Sequence, residues 1–176
     1  GAEAALSSTL KKVLERHGKL SEGQREALLG AMTSDAARIA SLSTPDGVVY
    51  VRTGQPSVRL TSLALDGLNA LAAQGEPIAD EQRRALALPL VIALAAGSRS
   101  LVQDTAWWEG ADGPRQEALS ALVVRTLCEA GPNVWPPRTK EALKSWDERL
   151  LTVAATSPYP LAAASATLAH RACAAH

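Results

Sequence analysis

His170-Arg-Ala-Cys173-Ala-Ala-His176 comes nearest, of all the runs in this chain, to a set of metal ligands. Imidazole and thiolate both bind zinc, and steps of three place successive members on neighbouring turns of a helix. Two of them could meet one ion, but a zinc site normally takes three protein ligands or more. A helix end with a semi-buried Cys and two solvated His accounts for the same residues, so no metal is assigned. His17 stands just before Gly18, where the C-terminal end of a helix favours an imidazolium, and that role is sufficient for it. The chain has no Gly-x-Ser-x-Gly elbow, no phosphate loop and no His-Glu-x-x-His. No catalytic residue and no cofactor is assigned, and the balance is against an enzyme.

Aromatic residues offer a different chemistry, that of contact. The sequence has 4 Trp, 2 Tyr and no Phe, which makes Trp107-Trp108-Glu109 conspicuous, because Trp is enriched at binding hot spots. Trp107 and Trp108, with Tyr50, Arg52 and Arg59, are the candidate partner-binding residues. The competing role is structural, with the rings stapling a long loop over helix ends. Trp135 and Trp146 are expected to pack the second helix of a hairpin. Cys128 and Cys173 are either a disulfide, if their Cα atoms lie within about 7 Å, or two small buried apolar residues. The second reading is preferred, and two cysteines are too few for a disulfide scaffold.

The elements that must carry these residues follow from a repeat. Leu14-Glu-Arg-His-Gly18, Leu71-Ala-Ala-Gln-Gly75 and Leu127-Cys-Glu-Ala-Gly131 share a Leu-to-Gly phrase, with the glycines 57 and 56 positions apart. Each phrase ends a first helix, over roughly Ala2–His17, Ser57–Gln74 and Pro114–Ala130. Glycine stops such helices by taking a left-handed conformation without penalty. Second helices start near Ser21, Asp80 and Pro136-Pro137. Ser21 with Gln24 makes a capping box, Asp80 can cap the middle helix, and one proline can take the first helical position of the third. Asp46 and Tyr50 recur as Asp104 and Trp108 in the following link, 58 positions on for both members. Val48-Val-Tyr-Val51 suggests a short hairpin or extended loop, and a closing helix runs from about Leu161 to Ala174.

The expected fold is therefore all-α: about seven helices, as three helical-hairpin repeats plus a closing helix. The whole of 1–176 forms one helical-repeat domain, with repeats at roughly 1–56, 57–113 and 114–157 and the closing helix at 158–176. Eighteen basic residues balance eighteen acidic ones, so no broad field argues for nucleic acid or an anionic membrane. The most apolar run, Ala85 to Ala96, is shorter than the ~20 residues a bilayer needs and contains Pro89. A soluble protein without membrane insertion is expected. The chain begins at Gly1 rather than Met, which is consistent with a removed leader or flanking region.

Gly54-Gln-Pro-Ser-Val-Arg-Leu-Thr61-Ser-Leu-Ala-Leu-Asp-Gly-Leu-Asn-Ala-Leu71 resembles an inner-helix signature of the α/α-toroid superfamily. Leu42-Ser-Thr-Pro-Asp-Gly47 and Asp104-Thr-Ala-Trp-Trp108 resemble its loops. That superfamily includes terpenoid cyclases, protein prenyltransferases and the thioester-containing domain of α2-macroglobulins, and the bacterial α2-macroglobulin domain is closest in tone. The resemblance implies a partial toroid or helical-repeat arc, with the chain expected to be a fragment of a larger protein. It also implies a periplasmic or secreted protein concerned with protease trapping or envelope scaffolding. Neither Cys128 nor Cys173 has the Cys-x-x-Gln spacing of the thioester, and the Asp-rich run of the cyclases is absent. The function expected is thus non-catalytic protein–protein contact. The alternative is an α/α-toroid enzyme, or a small apolar-ligand binder whose pocket is lined by the first helix of each repeat.

Overall fold

The computed structural model describes residues 21–49, 54–96 and 113–174. Within these the chain is all-α, with six helices and one small sheet. The expected helix at Ala2–His17 and the Gly18 turn lie outside the described residues.

Helix α1 spans Glu22–Leu42 and opens on the expected capping box. Ser21 Oγ accepts from Gln24 N at 3.3 Å, and Gln24 Oε1 accepts from Ser21 N at 2.9 Å. The two bonds satisfy two backbone donors that a helix start would otherwise leave unpaired. Among the described side chains of this long helix, Met32 and Ile39 are the buried ones.

Three short strands follow as an antiparallel sheet in the order β1 (Ser43–Thr44), β2 (Gly47–Val49) and β3 (Pro56–Ser57). The Val-rich run thus forms strand as its β-branched residues favour, pairing Val48 with Ser43 on one side and Ser57 on the other. One buried hydroxyl fastens the sheet to the next helix. Thr61 Oγ1 accepts from Val48 N at 2.8 Å and donates to Ser57 O at 2.7 Å. Gly47, with φ +128, passes so close that a Cβ there would lie 2.6 Å from that same oxygen.

Helix α2 spans Val58–Ala72, capped by Ser57, whose side chain accepts from Leu60 N. Ala64, Leu65, Leu68 and Leu71 repeat at three-and-four spacing and are buried on one face. The chain reverses at Gly75, φ +85, into α3 (Asp80–Ala96). Asp80 is the first residue of α3 rather than its cap: Ala79 O takes the first-turn amides, and Asp80 pairs with Arg83 instead. Pro89 lies inside this helix.

A second glycine-turned hairpin follows. Helix α4 covers Gly113–Ala130, Gly131 reverses the chain with φ +79, and α5 covers Thr139–Thr156. Neither Pro136 nor Pro137 occupies the first turn of α5. Pro136 O accepts from both the N–H and the hydroxyl of Thr139, closing a turn ahead of the helix, and Arg138 enters it with φ +68. Helix α6 (Pro160–Cys173) does start on a proline, where the missing N–H costs nothing.

Helices α2 and α4 pack together, and α6 lies along α4 and α5. The core runs through Leu65, Leu68, Leu90, Leu94, Val123, Val124, Leu127, Leu143 and Trp146. Cys128 on α4 and Cys173 on α6 form a disulfide, with Cα atoms 5.0 Å apart. This corrects the preferred reading of two unlinked apolar residues. It also removes Cys173 as a thiolate for any metal. The separation of 45 residues between the two cysteines corresponds to about 4 kcal/mol in the chain-entropy account of cross-linking.

Gly47→Ala should lower the unfolding free energy by about 1–3 kcal/mol, through the positive φ and the clash with Thr61. An unchanged urea midpoint would refute the account of this junction.

Candidate functional site

Of the five residues expected to contact a partner, Trp107, Trp108, Tyr50 and Arg52 lie outside the described residues. Arg59 is half-buried in the first turn of α2 and is engaged by the fold. The other two tryptophans have structural partners. Trp146 is buried on α5 and donates to Leu94 O at 3.0 Å, with Arg149 stacked 4.2 Å from its ring centre. Trp135 lies in the turn after α4 and donates to Leu127 O at 2.7 Å, so it caps a first helix rather than packing within a second.

Two places outside that list bring functional groups together. The first is a polar seam where α2 meets α4. Asn69 Nδ2 donates to Thr126 O at 3.0 Å, joining the two helices, and Arg83 Nη1 reaches Asn69 Oδ1 at 3.5 Å. One turn earlier on α2, Asp66 Oδ1 accepts from Arg125 Nη2 at 3.1 Å. Arg125 Nε also lies 3.7 Å from Glu129 Oε1. Burial, the largest cause, raises the pKa of Glu129; the Arg125 charge opposes this, while the Asp66 charge and a hydrogen bond with Asp66 add to it. A carboxyl with a raised pKa set beside a second carboxyl is an arrangement that general acid–base pairs also show. Here Arg125 spans both, and the arrangement equally serves to tie two helices.

The second is a groove of about 320 Å³ beside α1, lined by Met32, Thr33, Ala36, Leu71, Ile78 and Gln82 among others. It is largely apolar, as small-molecule sites are. Among the described residues its walls are α1, Leu71 near the end of α2, the turn that follows and Gln82 in the first turn of α3. None of Asp66, Arg125 and Glu129 lines it.

The polar groups that a catalytic concavity could have gathered have separate partners. His170 Nδ1 faces Asp147 at 3.0 Å, linking α6 to α5. Glu117 Oε2 accepts from Ser157 Oγ at 3.3 Å, and Asp66 belongs to the seam. Among the described residues no group of three or more His, Cys, Asp or Glu could hold a metal ion, and no helix is long and apolar enough to cross a membrane. The seam leaves no local mark in the sequence, because Asp66 and Arg125 are 59 positions apart and each alone looks like a solvated helix charge.

Between about pH 4.5 and the raised pKa of Glu129, the folded chain holds a proton that the unfolded chain has lost. Stability therefore falls as pH rises through that window. Glu129→Gln, which cannot ionise, should unfold like the parent below the window and somewhat later above it. The gap should be small, since the group is partly solvated. Denaturant titrations at pH 4 and pH 7 check this, and a variant less stable only at pH 7 would contradict it.

No family model, no curated protein and no solved structure matches this chain.

Proposed function

We propose that this chain is a non-catalytic helical-repeat domain that makes protein–protein contacts. Its hairpins are taken as units of a partial α/α-toroid arc, in an α2-macroglobulin-like protease-trapping or envelope protein. The observation that carries the contact reading is Leu88 and Ile92, one turn apart on α3 and exposed at 45% and 60%. Large apolar side chains grouped on one helix face mark interaction surfaces more often than isolated ones do. The repeat reading is supported by the two Gly-turned hairpins, whose turn glycines, Gly75 and Gly131, both take positive φ. The separate pairings of His170, Asp66 and Glu117 favour contact over catalysis.

Leu88→Ser with Ile92→Ser should leave the fold intact, with a stability change within about 0.5 kcal/mol. Cross-linking to the partner that the parent chain captures should fall at least about tenfold. Trp107→Ala with Trp108→Ala is the companion variant for the expected aromatic surface. Lost stability with capture unchanged, in both variants, would overturn the reading.

The groove beside α1 favours a second reading, a binder of a small apolar ligand. Under it, Ala36→Phe should fill the cavity and weaken an anilinonaphthalene sulfonate probe about tenfold. Unchanged probe affinity would dismiss the groove as a ligand site.

A further inference from the structure

Helix α6 buries its small side chains and exposes its large ones. Ala162, Ala166 and Ala169 are fully buried against the bundle, while Leu161 and Leu168 are exposed at 73% and 50%. Each buried alanine removes only one methyl from water, so this helix contributes little apolar area compared with a leucine-faced one. Its side-chain polar and covalent ties are the solvent-reachable His170–Asp147 pair and the disulfide to Cys128. The leucine and valine core between α2, α3, α4 and α5 draws no large side chain from α6. That core has its own polar ties, in the Asn69–Thr126, Asp66–Arg125 and Trp146–Leu94 bonds. The two residues differ in exposure: Cys128 is buried and Cys173 is partly exposed.

We propose that the Cys128–Cys173 bond is a redox-sensitive clamp, and that its reduction by a dithiol frees α6 while the rest of the bundle stays folded. A thiolate of the dithiol attacks the Cys173 sulfur, forming a mixed disulfide, and Cys128 leaves as a thiolate that takes up a proton. The second thiol of the reagent then attacks its own half of the mixed disulfide. Cys173 is released as a thiol and the reagent departs as a cyclic disulfide. Two electrons and two protons have passed to the protein. The strip of the bundle that Ala166 and Ala169 covered is then open to solvent, so the surface presented by this end of the molecule depends on the thiol poise around it.

Amide hydrogen exchange of the whole chain, before and after treatment with dithiothreitol, tests this directly. Exchange across Pro160–Cys173 should rise about tenfold or more on reduction, with Val58–Ala72 and Asp80–Ala96 unchanged. A protein carrying both Cys128→Ala and Cys173→Ala should show the reduced pattern with or without the reagent. Three results would overturn the proposal: α6 exchange unchanged on reduction, loss of protection throughout the bundle, or a bond that dithiothreitol leaves intact in the folded protein.

Discussion

The contact between α2 and α4 is the constraint on which the other elements depend. Its buried face is made of Leu65, Leu68, Val123, Val124 and Leu127, so association of the two helices follows from apolar burial. Burial alone does not fix how far one helix slides along the other. The Asn69 amide on the Thr126 carbonyl and the Arg125 guanidinium on Asp66 do, because each is satisfied at one offset only. With that offset set, the Gly75 and Gly131 turns send α3 and α5 back along the same side. Trp146 can then reach the last turn of α3.

Away from that contact the structure is held by local devices of different kinds. At one end a single threonine hydroxyl joins the small sheet to α2, serving two backbone groups at once. At the other end a covalent bond and three alanines hold α6. Helix α1 has neither, and its two fully buried side chains leave the groove at its flank.

Local chemistry made much of this legible in the sequence. The Ser21–Gln24 box, the two glycine turns, the extended run at Val48 and the boundaries of α2, α4 and α6 all rest on residues within a few positions of each other. What was missed needs contacts across the chain. Whether Cys128 meets Cys173 depends on how α6 lies on α4, and the seam of Asp66, Arg125 and Glu129 exists only once α2 and α4 are side by side. The prolines before α5 misled for a local reason. Either could have begun a helix, but the Pro136 carbonyl is claimed by Thr139, and the chain turns once more first.

Pro89 adds a directional element to α3. Lacking an N–H, it leaves the Ala85 carbonyl without its partner four residues on, and Ala85 is on the exposed side of the helix. A carbonyl in that state is tolerated where water can reach it and costly where it cannot. The proline therefore labels one side of an otherwise apolar helix as the wet side. Leu88 and Ile92 are carried outward by that choice, although their own chemistry would have them inside.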